Sequence, residues 1–317
     1  SYTLIDGTLE QGSRKYRILF GRDPIKPLPG SAAALRQSYD KQETYIEMRD
    51  GVRLFTSIYT PKDTSVAHPV LIMRTPYNSE PSGPDNFNYF VQLYSRYMDE
   101  GYIMVFQDVR GKYMSEGVFE DIRPYIPVRQ SNKDTDETTD TWDTVDWLIK
   151  NVPGNNGRAG IFGVSYPGFY ATMGIIDAHP AVRAVSPQAP VTAWFMGDDF
   201  HHNGAFFMLD CFNFYYSFGQ PRKGPSRTGN PSFKWPVQDN YEFFMSVGAI
   251  RNLVPLYLGD SVKFWNDAFA HPDYDWFWQE RDPRQHLTDV TPAVLTVGGW
   301  FDAEDLYGCL LYTSPSP

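Results

Sequence analysis

The segment Ile161-Phe162-Gly163-Val164-Ser165-Tyr166-Pro167-Gly168 places a serine between glycines, after a short apolar run and before a helix-like pattern. A serine becomes a nucleophile when a sharp strand-to-helix turn lifts its hydroxyl above a sheet and leaves backbone N–H groups facing the substrate oxygen. The spacing is G-x-S-x-x-G, with the second glycine one place later than in the commoner G-x-S-x-G. An ordinary Gly/Ser loop is the alternative reading. Acyl transfer through such a serine also needs a base and an acid that orients it. Asp302 is the candidate acid, because Val294–Val297 reads as a strand that runs into Gly298-Gly299-Trp300-Phe301-Asp302 and sheets of this kind carry functional groups at strand C-termini. A turn aspartate ahead of a helix fits the same position.

Placing Ser165 requires a particular order of elements. Trp142, Val145, Leu148, Ile149 and Val152 share one helical face, with Asp140 and Thr141 as expected cap residues. Pro153-Gly154-Asn155-Asn156-Gly157 turns the chain, and Ala159–Val164 reads as a buried strand. Phe169, Met173 and Ile176 then recur at helical spacing as far as His179-Pro180. Tyr45–Met48 and Val52–Phe55 flank Arg49-Asp50-Gly51 as a hairpin. Val70–Met73, Tyr102–Phe106, Ala184–Ser186 and Ala293–Val297 read as further strands. Apolar strands alternating with helices imply a mostly parallel sheet covered on both faces, the α/β-hydrolase fold.

The expected organisation is an N-terminal arm over 1–42, a first core part over 43–190, an inserted helical cap over 191–289 rich in Phe, Tyr and Trp, and a second core part over 290–308. Residues 309–317, Cys-Leu-Leu-Tyr-Thr-Ser-Pro-Ser-Pro, resemble the translation of sequencing-adapter read-through, so the natural part of this sequence is expected to stop at about Gly308, with the gene continuing elsewhere. The net charge of −10 argues against a nucleic-acid surface, which needs concentrated Lys and Arg. No apolar run reaches the length of a membrane span. The two cysteines, Cys211 and Cys309, lack metal-site spacing.

Gly163–Phe169, Arg74-Thr75-Pro76-Tyr77, Asp108-Val109-Arg110-Gly111 and Gly299-Trp300-Phe301-Asp302 together resemble the family of bacterial cocaine esterase, X-Pro dipeptidyl peptidases and glutaryl acylases. Within it the chain is most similar to the α-amino acid ester hydrolases, the β-lactam antibiotic acylases. That similarity adds Met196-Gly197-Asp198-Asp199, His271-Pro272-Asp273-Tyr274 and Asp302-Ala303-Glu304-Asp305, and the resemblance covers about residues 43 to 308. It implies Ser165 as nucleophile, Asp302 as triad acid, and an oxyanion hole from the Tyr77 hydroxyl and the Tyr166 N–H. It further implies that Asp199, Glu304 and Asp305 hold a substrate α-ammonium, since three close carboxylates repel one another unless a cation joins them. Helix capping is the other reading of these acids.

The resemblance also implies a catalytic histidine downstream of Asp302, and none is present. His68, His179, His201, His202, His271 and His286 all lie upstream of Asp302. The family's C-terminal jelly-roll domain is missing too, so the 317-residue chain is expected to be inactive. The substrate is expected to be a small ester or amide, with no metal or organic cofactor, no nucleic acid and no membrane partner. By resemblance the enzyme is a tetramer and periplasmic or secreted. The competing functions are a glutaryl-type acylase, a general carboxylesterase or an X-Pro peptidase, and, from another class, a non-catalytic binding protein on the same fold.

Overall fold

The computed structural model describes residues 5–11, 14–20, 32–80, 83, 85–87, 93–196, 199–202 and 204–299. Strands β1 (Ile5–Gln11) and β2 (Arg14–Phe20) pair with each other, antiparallel. The main sheet uses β3 (Tyr39–Glu47), β4 (Arg53–Pro61), β5 (His68–Thr75), β6 (Ile103–Asp108), β7 (Asn155–Val164) and β8 (Val182–Gln188). A two-residue ribbon follows, β9 (His201–His202) with β10 (Ala205–Phe206), and β11 (Ala293–Val294) completes the seven-stranded sheet in the order β11-β8-β7-β5-β6-β4-β3. From β11 to β6 neighbouring strands run parallel, while β4 and β3 are antiparallel. This is the α/β-hydrolase arrangement.

Burial explains the sequence pattern strand by strand. Val70, Ile72, Ile103 and Val105 in β5 and β6 are fully buried, and central parallel strands covered on both faces read as continuous apolar runs. β3, at the sheet edge, alternates at its start, with Tyr39 and Lys41 buried between exposed neighbours. The β3–β4 turn uses Gly51 at φ 89°, a left-handed conformation that suits glycine. The run from Ala293 extends along β8 beyond β11 itself. The Leu295 N–H donates to the Val185 carbonyl (2.9 Å) and the Val297 N–H to that of Pro187 (3.0 Å).

The helix ahead of β7 spans Glu137–Asn151, so it begins before the expected cap at Asp140-Thr141. Asp136 is the true cap. Its carboxylate accepts the Thr139 N–H (2.9 Å), and Thr139 Oγ1 accepts the Asp136 N–H (2.9 Å), a reciprocal capping box. Asp140 and Thr141 lie inside the first turn and are recruited by buried arginines. Arg110 clamps Asp140 through Nε (2.9 Å) and Nη2 (2.6 Å) and reaches Asp50 through Nη1 (2.6 Å). Arg74, fully buried, donates through Nη1 to Glu137 Oε2 (2.9 Å) and Thr141 Oγ1 (3.0 Å) and through Nε to Gln107 (2.9 Å).

Between β8 and β11 the longer helices are Met208–Phe218, Asn240–Val247 and Lys263–Ala270. Rings join these elements to the intervening loops. Phe212 meets Phe233 at 4.9 Å between centroids, Phe233 meets Trp235 at 4.9 Å, and Trp235 meets Phe243 at 5.2 Å. Such edge-on pairs add attraction beyond the area they bury. Among the described residues no helix is long and apolar enough to cross a membrane.

The buried charges make one stability prediction. Asp140→Asn removes the charge from the only carboxylate that both Arg74 and Arg110 approach, Arg74 at 3.7 Å and Arg110 at 2.6 Å among the described residues. Leaving a buried charge uncompensated costs about 3–5 kcal/mol. Urea unfolding of the two proteins is expected to show a loss of that order, and a loss below about 1 kcal/mol would mean that Asp50 and Glu137 suffice.

Candidate active site

Ser165 follows β7 directly, and the helix Tyr166–Met173 starts at the next residue. Its backbone sits at φ 63° and ψ −126°, outside the regions comfortable for a residue with a side chain. Two hydrogen bonds hold it there. The Ser165 N–H donates to the Gln188 carbonyl at the end of β8 (3.0 Å), and the Ser165 carbonyl accepts the Phe169 N–H (3.1 Å).

The glycine spacing has a steric cause. A Cβ on Gly163 would lie 2.2 Å from the Pro167 carbonyl oxygen. A Cβ on Gly168 would lie 2.8 Å from the Gln188 carbonyl oxygen and 2.9 Å from Pro190 Cα. The second glycine therefore stands where the helix crosses the end of β8. Pro167 fits the first turn because no intrahelical acceptor awaits an N–H there. The Tyr166 N–H likewise has no intrahelical acceptor, as first residue of the helix.

Ser165, Tyr77, Tyr166 and Asp199 line one cavity of about 360 Å³. Tyr77 comes from the loop after β5, where its N–H donates to Thr75 Oγ1 (3.0 Å). That loop is tied down by Asp108, which accepts the N–H groups of Ser79 (2.7 Å) and Met114 (3.1 Å). Burial pushes the Asp108 carboxyl up to about 6 in spite of these donors. The Tyr77 ring stands edge-on to Tyr166 at 6.4 Å.

Tyr166 lines the cavity while its side chain is almost fully buried. The hydroxyl donates to Asp121 Oδ1 (3.2 Å) and accepts the Ile122 N–H (2.8 Å). Burial, and then Asp121, hold that phenol far above its ordinary range. Asp121 itself is pushed up to about 7 by burial, against the pull of Lys112.

Asp199 reaches the cavity from the chain beyond β8, and its carbonyl accepts the Cys211 thiol (3.1 Å). Asp302, Glu304 and Asp305 lie outside the described residues. Two polar groups of the cavity went unrecognised in the sequence, Asp210 and Asn213, both on the helix Met208–Phe218. No local pattern in that helix, which mixes aromatic residues with Met208, Leu209, Cys211 and Ser217, marks them as cavity residues. Among the described residues no histidine side chain lines this cavity. His68 meets the Asp63 carbonyl (2.8 Å), His179 packs on Trp142 (4.7 Å), His201 meets the Phe195 carbonyl (3.1 Å), His271 meets Asp275 (2.6 Å) and His286 packs on Tyr125 (4.8 Å).

A serine in a strained strand-to-helix turn at the C-terminal end of a mostly parallel sheet defines an α/β-hydrolase fold with a nucleophile elbow. The chain belongs to the X-Pro dipeptidyl-peptidase (S15) family, whose model matches residues 50–312. It is 25% identical over 264 residues to cocaine esterase of Rhodococcus sp. (strain MB1 Bresler), covering 81% of this chain and 43% of that protein. An aminopeptidase from a marine sediment archaeon, Thaumarchaeota archaeon, superposes with a TM-score of 0.77 at 35% identity, covering 87% of this chain and 46% of the other. An α-amino acid ester hydrolase superposes at 0.75 with 33% identity, covering 92% and 48%. The chain thus spans about half or less of the length of these relatives.

The elbow yields a direct prediction. Gly163→Ala forces its new methyl against the Pro167 carbonyl, a backbone group that cannot swing aside. Overpacking of this kind costs about 1–3 kcal/mol. Thermal melting is expected to drop accordingly, and an unchanged melting temperature would show that the turn relaxes freely.

Proposed function

We propose that the protein is a serine hydrolase that forms an acyl-enzyme at Ser165 and acts on α-amino acid esters and related amides. The observation that carries this reading is the elbow backbone of Ser165 facing a cavity that also holds Tyr77 and Asp199. In the reaction Ser165 Oγ attacks the substrate carbonyl and its proton passes to a histidine oriented by Asp302. The Tyr77 hydroxyl and the Tyr166 N–H donate to the oxygen as it gains charge. Asp199, with Glu304 and Asp305, accepts from the substrate ammonium, and Asp210 adds a second negative charge beside Asp199 among the described residues of the cavity wall.

Two relatives at 33% and 35% identity are named for amino-acid ester hydrolysis and aminopeptidase activity, which favours a substrate with an α-amine. The acidic wall disfavours a glutaryl acyl group, whose carboxylate would face Asp199 and Asp210.

Phenylglycine amide is expected to bind at least about tenfold more tightly than phenylacetamide, a difference of roughly 1.4 kcal/mol. Calorimetric titration checks this, and Asp199→Asn should erode the preference while sparing the uncharged ligand. Equal affinities would overturn the ammonium site.

A second reading, a non-catalytic binding protein on the same fold, draws on the missing histidine at the described cavity wall. On the hydrolase reading the 317-residue chain by itself keeps only the residual rate that binding and the oxyanion donors provide. Adding a histidine-bearing C-terminal extension should raise ester turnover by several orders of magnitude. An extended chain that stays at the residual rate would favour the binding protein.

A further inference from the structure

A second cavity of about 530 Å³ lies between the 111–121 loop, the 218–225 segment and the helix Lys263–Ala270. Its size falls in the range of small-molecule sites. Phe218 and Tyr166 separate it from the Ser165 cavity, with their rings 5.6 Å apart. We propose that this second cavity binds a small carboxylate with an aromatic or branched apolar body.

The apolar part of the argument is the wall formed by Phe119, Phe218 and Phe264. The polar part is a pair of cations. Lys112 is almost fully buried, with Nζ 3.4 Å from the Phe218 ring centroid and 4.0 Å from that of Phe119. It donates to the Phe218 carbonyl (2.7 Å), which uses one of its three N–H donors. Arg222 donates through Nη2 to the Ser115 carbonyl (3.3 Å), while its Nε and Nη1 are buried and have no acceptor among the described residues.

The other charges on the wall are already matched. Lys263 pairs with Asp267, Arg281 with Glu120 (3.1 Å), and Glu116 with Arg53. Asp121 balances Lys112 but also accepts the Tyr166 hydroxyl. Arg222 feels the buried Asp108 carboxylate through space, but Asp108 spends its oxygens on the Ser79 and Met114 N–H groups, so the Arg222 Nε and Nη1 donors stay without an acceptor among the described residues. Burial pushes Lys112 down to about 8, and Arg222 adds to that shift while Asp121 opposes it.

An anion shared by Lys112 and Arg222 would relieve their repulsion and supply acceptors for idle donors. A carboxylate suits a guanidinium fork, which binds it through two parallel N–H groups. A single negative charge also suits a wall that carries Asp121 and Glu120, where a polyphosphate would meet repulsion.

The test is calorimetric titration of the full chain with phenylacetate, phenylacetamide and phenethylamine. Phenylacetate is expected to bind one site at least about tenfold more tightly than phenylacetamide, the scale of one charge-assisted hydrogen bond, while phenethylamine, a ligand for the Ser165 cavity on the reading above, should not compete with it. Arg222→Gln is expected to weaken it about tenfold, and Lys112→Met likewise where melting confirms that it folds. Asn213→Trp, which fills the Ser165 cavity, should leave phenylacetate binding intact. Equal binding of the amide, no effect of Arg222→Gln, loss of binding in Asn213→Trp, or no binding at millimolar concentration would each overturn the proposal. The ligand series in the unmodified chain decides without any variant. The Ser165 cavity favours cations on the reading above, so failure of one assignment leaves the other standing.

Discussion

The backbone of Ser165 is held where a residue with a side chain does not rest on its own, and the surrounding sheet is built to hold it. A conformation of this kind costs on the order of 1–3 kcal/mol and persists only where its neighbours over-determine it. Here β8 supplies the acceptor at Gln188, the helix supplies the Phe169 donor, and two glycines remove the side-chain atoms that would force helix and strand apart. Tyr166 anchors the next position, because its phenol is tied to Asp121 and Ile122 in the core. The strain is local, but the elements that offset it come from β7, β8, the following helix and the 111–122 loop. That distribution makes the elbow a property of the whole sheet end.

Motifs that read as chemistry in the sequence turn out to build this frame. In Arg74-Thr75-Pro76-Tyr77 only the tyrosine reaches the cavity; the arginine runs back under the sheet to Glu137 and Thr141. In Asp108-Val109-Arg110-Gly111 the aspartate fastens the Tyr77 loop, and the arginine bridges Asp50 and Asp140. Gly111, at φ 72°, leaves no room for a side chain beneath Phe119. Arginine suits these places because its fork satisfies two carboxylates in fixed geometry and stays charged when buried.

The elbow and the strands of the main sheet were legible because they depend on short-range patterns. Apolar runs, turn residues and the two glycines each lie within a few positions of what they control. The helix start was misplaced for the opposite reason. Asp140 carries the chemistry of a cap, but its partner Arg110 is 30 residues away, and no local pattern records that pairing. The same limit hid Asp210 and Asn213, which face Ser165 only because the helix Met208–Phe218 lies over the sheet end. It also hid Lys112 and Asp121, ordinary loop residues until the fold buries them. The limits of the cap at 191 and 289 rest on composition, and the aromatic stretch they delimit has no period that a strand or helix would impose.

Tyr166 joins the two halves of this end of the molecule. Its main chain opens the helix beside Ser165, the residue lines the Ser165 cavity, and its hydroxyl meets a carboxylate that lines the second cavity. The two sides of that wall differ in which charges they carry. Asp199 and Asp210 face Ser165, while Lys112 and Arg222 stand on the far side beside Asp121. Fields in a low-dielectric interior extend further than they do in water, so the separation by a layer of aromatic rings matters. The rings occupy the space that water would otherwise fill, and their faces stabilise Lys112 directly. Asp121 stands between the opposed groups and is protonated more readily than an exposed aspartate, because burial penalises its charge. On the two proposals above, this wall keeps a cation-seeking cavity and an anion-seeking one side by side, with Tyr166 held by its bonds to Asp121 and Ile122.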